Sequence, residues 1–278
     1  FLSDKIFSNY LILDILVSSL SVITISMLYY EIFEDLNGAK ICAFLFAVYP
    51  FNIYYSTAML SENSYVFFNI LGFLFLYQNK YILAFISIVC SILIRPTLDI
   101  LTILIILSFS YFVFKDSFRD SAKKILFFIL IYSFMFSPWW IYNYKRFDQF
   151  VRLNLGFGTV LYSGNNELNK TGGGNLHEDF NFDLVKNVAP MEADKILKDE
   201  AIKFIINNPL RFIDLSVKKF FRFFNIHPNY KSTNIIGVNP EQEEKNKILS
   251  LLIFISGLSM VSLYGFSLLS LFFLKKDK

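Results

Sequence analysis

The chain has 278 residues, of which 55% are hydrophobic, 19% aromatic and only 18% charged. One water-soluble core cannot hide so much apolar surface, so the composition indicates a membrane protein. The formal net charge of +3 is dispersed, without a basic block among exposed aromatic residues, and this argues against nucleic-acid binding.

Seven apolar segments predict membrane-spanning helices, each near the length that crosses about 30 Å of hydrocarbon. The predicted spans are 10–31, 40–57, 63–79, 81–95, 97–114, 122–142 and 248–274. Basic residues follow the first, third, fifth and last spans, which places all of them on one side. By the positive-inside tendency that side is cytoplasmic. We therefore expect a membrane domain over 1–142, an outer domain over 143–247, and a last span with a basic tail over 248–278.

Glu62 lies in a short polar elbow, Ser61–Asn63, between the second and third predicted spans. An ionisable residue at the end of a membrane helix is a functional-site hypothesis by default. The elbow has no lysine or arginine, so it is expected on the outer side. Other polar residues inside the apolar runs also lie near the outer ends of their spans, namely Asp14, Asn52, Tyr54, Tyr55, Arg95 and Asp99. Charges are costly at mid-bilayer, so this one-sided gathering predicts a water-filled cavity open to the outside.

Arg95 is followed by Pro96, which can begin a helix and leave the guanidinium at its mouth. A planar cation with five donors suits a phosphate group and stays charged when partly desolvated. The alternative is structural, because Asp99 lies four residues on and can pair with Arg95 along one helix face.

These motifs resemble the bacterial relatives of the protein O-mannosyltransferases, which are polytopic glycosyltransferases of the GT-C type. The family pattern "P-x-x-I-Y-Y-S, then E" is similar to Pro50, Ile53–Ser56 and Glu62, and its "R-P-T" is similar to Arg95–Thr97. The resemblance covers most of the chain, with its motifs in the family's order.

The resemblance continues after the sixth predicted span. A "P-W-x-x-R-N-Y-x-x-F-G-x-F" exit and a strand-like glycine segment ending in "G-N-N" correspond to these residues: Pro138, Trp139, Asn143, Tyr144, Phe147, Phe150, Gly156, Gly158, Gly164, Asn165 and Asn166. Tyr142 stands where the family usually has arginine, so the function of that cation either falls to Lys145 or Arg146 or is absent.

Two helices are predicted in the outer domain, one beginning at Pro190 and one at Pro209, the second capped by Asn208. The second mixes arginine and lysine with phenylalanine, which predicts an interfacial helix whose aromatic side lies on the bilayer while its cations meet phosphates. With the strand-like segment, the fold class is an all-α polytopic membrane protein of GT-C type with a small mixed outer-face loop domain.

The resemblance implies an inverting, metal-independent transfer of a sugar from a polyprenyl phosphate to a glycan, lipid or protein acceptor at a bacterial inner membrane. Arg95 would stabilise the leaving phosphate, and the other substrate-binding candidates are Tyr54, Tyr55, Asn143, Lys145, Arg146, Asn165 and Asn166. In the family the catalytic Asp lies in the first outer loop, mostly before Phe1 here. The chain is therefore expected to be a fragment or a shortened relative, with Glu62 and Asp4 as its own candidate acids.

No cofactor is expected. His177 and His227 have no acidic or cysteine ligand at a metal spacing, and Cys42 and Cys90 lie within apolar runs. Two other functions stay open. A transporter or lipid flippase would place its polar groups near mid-membrane and often show internal symmetry, and a noncatalytic scaffold would keep the fold without the upstream acid.

Overall fold

The computed structural model describes residues 2–57, 60–173 and 179–223, with side chains from residue 10 onward except those of 51, 222 and 223. All regular structure within this part of the chain is helical. The predicted last span over 248–274, its basic tail and the side chain of Asp4 lie outside the described residues. The chain divides into two compact units between Tyr142 and Asn143.

Helix α1, Leu2–Phe33, contains the first predicted span. Its polar side chains do not break it, because Ser19, Ser21 and Thr24 donate their hydroxyl protons to the carbonyl four residues earlier. Asp35 then caps helix α2, Leu36–Ala47, accepting hydrogen bonds from two backbone N–H groups at 3.0 Å.

The second predicted span, 40–57, is wrong as a single helix. Helix α2 ends at Ala47 and helix α3 runs over Pro50–Thr57. Pro50 has no N–H to continue the ladder and disfavours helical backbone at the residue before it. The side-chain amide of Asn52 donates at 2.9 Å to the carbonyl of Phe46, which among the described residues otherwise accepts only a long bond of 3.4 Å from the N–H of Tyr49 at the break.

Helices α4, Glu62–Tyr77, and α5, Tyr81–Ile94, form an antiparallel hairpin. Gly72 allows the close approach, since a Cβ there would lie 2.6 Å from the side chain of Ile88. Asn69 and Ser91 are buried between the helices and join them by a hydrogen bond of 3.2 Å. The core of the hairpin is formed by Leu74, Leu76, Ala84, Phe85, Ile88, Val89 and Ile92.

A 3-10 turn, Pro96–Leu98, leads from α5 to helix α6, Leu101–Ser108, which closes in a π-helical turn, Phe109–Val113. Helix α7, Phe118–Phe147, follows and passes through Pro138 without ending.

Two helices of the described chain are long and apolar enough to cross a membrane: Tyr10–Phe33 within α1, and α7. Only 11% and 17% of their apolar windows are buried, which separates them from the core helices of a soluble protein. Helices α2 and α5, and α6 with its π turn, are apolar but shorter.

The described part of the second unit contains three complete helices: α8, Phe157–Gly164; α9, Pro190–Asn207; and α10, Pro209–Phe223. A further 3-10 turn covers Phe182–Val185. Helices α9 and α10 begin at the two prolines that predicted them. Tyr162, Phe180, Leu197 and Ala201 form the core.

The strand-like glycine segment is wrong, because it forms helix α8. Gly156 precedes the helix at φ +125°, a conformation that favours glycine. Gly158 lies against α9, where a Cβ would be 1.9 Å from the carbonyl oxygen of Asp194. The carboxylate of Asp194 accepts from the N–H groups of Gly158 and Thr159 at 2.8 and 3.3 Å, and so caps α8 from the neighbouring helix. The described part of this unit is therefore helical and not mixed.

Candidate functional site

Glu62 and Arg95 meet at one end of the α4–α5 hairpin. Glu62 is the first residue of α4, and Arg95 follows the last residue of α5 in an extended conformation, with φ −145° and ψ 123°. Because the two helices are antiparallel, these ends lie side by side. Arg95 Nη1 donates to Glu62 Oε1 and forms an ion pair across 33 residues of sequence.

The extended backbone at Arg95 has a local cause. Pro96 stands at the first position of the 3-10 turn, as the sequence predicted, and a residue before proline is pushed out of the helical region. Arg95 thus ends one helix, precedes the next turn, and extends its side chain towards α4.

The ion pair is half-buried, with the Arg95 side chain 40% exposed and that of Glu62 33% exposed. An ion pair with this much solvent exposure adds only about 0.2–1 kcal/mol to the free energy of unfolding. The guanidinium has five N–H donors, so donors besides the one at Nη1 can meet a second anion.

The structural alternative for Arg95 gave it Asp99 as partner. In the structure Arg95 pairs with Glu62 instead. Asp99 is only 6% exposed and accepts a hydrogen bond from the Tyr132 hydroxyl at 2.8 Å. Asp99 therefore ties the turn after α5 to α7, which is a structural contact.

Tyr55 belongs to the same group of residues as Glu62 and Arg95. It lies within electrostatic reach of both charges and contacts the ring of Tyr54, with centroids 5.4 Å apart. Both tyrosines are half-buried on α3. The structure thus brings together four of the predicted site residues: Tyr54, Tyr55, Glu62 and Arg95.

Asn63 is a residue that sequence reasoning missed. It follows Glu62 on α4, is 7% exposed, and its Nδ2 has no hydrogen-bond partner among the described residues. A buried donor left unpaired costs about 1–3 kcal/mol, so the position is notable beside a candidate site. The signal in the sequence was its place in the same polar elbow.

The predicted site residues from Asn143 onward belong to the second unit. Asn143 on α7 is buried at 4% exposure, whereas Lys145 and Arg146 in the last turn of the helix are exposed. The Arg146 guanidinium lies 5.3 Å from the ring centroid of Phe147. Both cations therefore lie on the exposed surface of the last turn of α7.

Asn166 is structural. Its Nδ2 donates to the carbonyls of Tyr162 and Asp179 at 2.6 and 2.7 Å, and its Oδ1 accepts from the N–H groups of Leu168 and Asn169 at 2.8 and 3.1 Å. These four bonds use both donors and both lone pairs, so no polar group remains for a substrate. The prediction that Asn166 binds substrate is therefore not supported by its geometry.

Asn165 is also occupied, though less completely. Its Nδ2 donates to the carbonyl of Leu161 at 2.9 Å, and its Oδ1 accepts from Lys219 Nζ at 2.8 Å. Burial lowers the pKa of the Lys219 ammonium, and the bond to Asn165 is with a neutral amide rather than an anion.

Asn169, which the sequence analysis did not single out, completes the loop. It is fully buried and donates to the carbonyls of Ser163 and Gly173 while accepting from the N–H of Gly172. Local side-chain bonds of this kind hold an irregular backbone in place. We call residues 165–173 the asparagine loop.

The cations of α10 bind the asparagine loop. Arg211 donates to the carbonyls of Glu167 and Asn169 at 2.9 and 3.3 Å, and Lys218 donates to that of Lys170 at 3.3 Å. Arg211 and Lys218 thus help to hold the asparagine loop, and Lys218 also pairs with Asp214 at 2.7 Å. The prediction that the cations of α10 meet phosphates stays a prediction. The Asn208 side chain likewise donates back to Phe204 at 3.3 Å and does not cap α10.

The other side of α10 is apolar and exposed. Leu210, Ile213, Val217, Phe220 and Phe221 are 48–82% exposed. At about 100° per residue they fall on one stripe roughly 100° wide, opposite Leu215, which is buried.

Within the described residues, no group of three His, Cys, Asp or Glu side chains could hold a metal ion. Cys42 and Cys90 are free thiols, and His177 and His227 lie outside the described residues. Comparisons of the chain with protein-family models, with curated proteins and with solved structures each found no match.

Proposed function

We propose that this chain is a multi-pass membrane glycosyltransferase that moves a sugar from a polyprenyl-phosphate donor to a glycan, lipid or protein acceptor. The observation that carries the proposal is the ion pair of Glu62 and Arg95 at the shared end of α4 and α5. Two residues selected separately for acid–base and phosphate chemistry lie in direct contact, partly open to solvent.

Arg95 would act on the donor. As the bond between the anomeric carbon and the phosphate oxygen breaks, the leaving polyprenyl phosphate gains negative charge. A fixed cation at that point stabilises the transition state more than the ground state. Glu62 holds the guanidinium in place through one donor, while the remaining donors face the phosphate.

The acceptor hydroxyl must lose its proton as its oxygen attacks the anomeric carbon. A carboxylate within hydrogen-bond distance takes that proton, and Glu62 and Asp4 are the candidate acids of this chain. Glu62 is engaged with Arg95, so its proposed part is to position Arg95 and the acceptor beside it. Tyr54 and Tyr55 would line the same end, where their rings and hydroxyls suit a sugar.

The proposed membrane arrangement places α1 and α7 across the bilayer and the shorter apolar helices among them. Lys80, Lys123 and Lys124 line one groove of the first unit, where α5 and α7 begin, as a common cytoplasmic side requires. The Glu62–Arg95 pair lies at the opposite end of the α4–α5 hairpin, which the proposal assigns to the outer face of a bacterial inner membrane.

The apolar stripe of α10 supports membrane lipids as partners. A helix with one stripe of large apolar side chains and a polar opposite face lies in the plane of a bilayer interface. On the polar face, Arg211 and Lys218 donate to backbone carbonyls of the asparagine loop, so the apolar stripe is the side that would enter the lipid.

The test is sugar transfer by the full chain, purified in lipid nanodiscs, with a polyprenyl-phosphate sugar and a panel of acceptors. We expect turnover by wild type and its loss in Arg95→Ala. The matched control is Arg119→Ala, which removes an exposed arginine near the start of α7.

Unchanged turnover in Arg95→Ala would refute the leaving-group role. A wild-type chain that transfers no sugar from any polyprenyl-phosphate donor would refute the glycosyltransferase proposal and favour a transporter or a scaffold.

A further inference from the structure

The second unit contains a cavity of about 410 Å³ between the asparagine loop, the segment Asn181–Leu184 and the last two turns of α9. This volume is at the small end of the range for ligand sites, which is about 300–1,000 Å³. None of its lining residues is among the candidates for the transfer reaction except Asn166, whose polar atoms are all used within the protein.

One part of the cavity wall is apolar. Leu168, Leu184 and Phe204 line it, and Phe204 is 6% exposed. An apolar wall accepts the C–H face of a sugar ring, as small-molecule sites combine apolar surface with a few placed polar groups.

The polar part of the wall offers both donors and acceptors. The lining includes Asn181, Asn207 and Asn208, which have amide side chains, and Glu167 and Glu200, which have carboxylates. The Asn181 Oδ1 already accepts from the N–H of Asp183 and the Asn208 Nδ2 already donates to the carbonyl of Phe204, so a ligand would use the other amide atom of each. A carboxylate accepts only, whereas an amide both donates and accepts. Adjacent hydroxyl groups on a ring require this mixture, because each hydroxyl donates one bond and accepts others.

The charge of the cavity selects against anions. Lys203 is its one cation among the described residues, and it is already paired with Glu200 at 2.5 Å. No described cation pairs with the Glu167 carboxylate, so the described lining of the cavity carries a negative balance. A phosphate or carboxylate ligand would meet repulsion there, and an uncharged ligand would not.

The floor of the cavity is preorganised. Asn166 is held by four hydrogen bonds, and Tyr162 is buried between α8 and α9. Burial, with the neighbouring charge of Glu200, raises the pKa of the Tyr162 hydroxyl, so it remains protonated. A fixed wall reduces the ordering that a ligand must impose.

We propose that this cavity binds an uncharged saccharide of one or two rings. The inference does not depend on the proposed transfer reaction, since the cavity belongs to the second unit and involves neither Arg95 nor Glu62.

The experiment is a binding titration of the full chain in nanodiscs with neutral hexose and N-acetylhexosamine mono- and disaccharides, followed by saturation-transfer NMR. We expect binding to wild type, and at least about tenfold weaker binding to Glu167→Ala and to Asn207→Ala, since each loses one or more hydrogen bonds to the ligand. The matched controls are Glu192→Ala and Asn154→Ala, both exposed and outside the cavity lining.

Arg95→Ala should bind the same saccharides as tightly as wild type. That result separates the cavity from the transfer reaction, because loss of turnover with intact saccharide binding would leave this inference standing. The inference is overturned if no neutral saccharide binds wild type. It is equally overturned if the two cavity variants bind like their controls, or if sugar phosphates bind more tightly than the matching neutral sugars.

Discussion

Exchanging the two charges of the Glu62–Arg95 ion pair separates a structural role of the pair from a role in binding phosphate. The double variant Glu62→Arg/Arg95→Glu keeps one carboxylate and one guanidinium in contact at the end of the α4–α5 hairpin. It moves the cation from the end of α5 to the start of α4. A purely structural pair is largely restored by this exchange, whereas a phosphate site built on Arg95 is not.

The structure allows both effects to be estimated. The side chains are 40% and 33% exposed, so the pair contributes about 0.2–1 kcal/mol to the free energy of unfolding. A hydrogen bond from a charged group to a phosphate contributes about 1.5–3 kcal/mol. If Arg95 makes one such bond in the transition state, its loss lowers kcat/KM by about 10- to 150-fold.

The assay measures sugar transfer and thermal unfolding on wild type, Arg95→Gln, Glu62→Gln and the exchanged double variant in the same nanodiscs. We expect Arg95→Gln and the double variant to lose turnover by this factor, with the free energy of unfolding lower by no more than about 1 kcal/mol. Recovery of wild-type turnover in the double variant would refute the argument. So would a loss of folded protein that accounts for the lost activity.

Three further predictions concern topology and the second unit. Cysteine introduced at Ser61 should react with an impermeant thiol reagent from outside intact cells, and cysteine introduced at Ser117 should not. Both positions are exposed in the structure, so labelling of both from one side would contradict the predicted orientation. Gly158→Val should lower the free energy of unfolding of the second unit by about 1–3 kcal/mol, because the added Cβ meets the α9 backbone. The control Val160→Ala changes a side chain that is 72% exposed on the same helix and should alter the free energy of unfolding little. Equal melting temperatures of the two variants would exclude close packing at Gly158. Asn169→Ala should lower the free energy of unfolding by about 2 kcal/mol or more, because three buried or partly buried backbone partners lose their hydrogen bonds. A melting curve like that of wild type would show that the asparagine loop does not depend on Asn169.

The sequence by itself determined where several helices begin. Proline at positions 96, 190 and 209 starts the turn or helix that was predicted there, because its fixed φ and missing N–H act on the local backbone. Long apolar runs likewise predicted the two helices able to cross a membrane. Pro50 carried the same local signal, and reading through it produced the wrong single span over 40–57.

Sequence patterns gave wrong predictions of structure and of binding where they relied on glycine and asparagine residues. Gly156 and Gly158 indicated a strand, yet Gly156 precedes a helix and Gly158 packs closely against α9. The contact of Gly158 is with Asp194, which lies 36 positions away in the sequence. The asparagines of the "G-N-N" segment indicated a substrate site, yet the partners of Asn166 include Asp179, which approaches only in the folded unit.

Only the tertiary structure decided which charges meet. Glu62 and Arg95 were each identifiable from their settings, but their contact depends on the α4–α5 hairpin bringing two helix ends together. The cations of α10 were equally visible in the sequence, but not that Arg211 and Lys218 donate to carbonyl groups 42–48 residues earlier. A side chain's partner is set by long-range packing, whereas helix termini and apolar spans are set by the backbone and hydropathy of neighbouring residues.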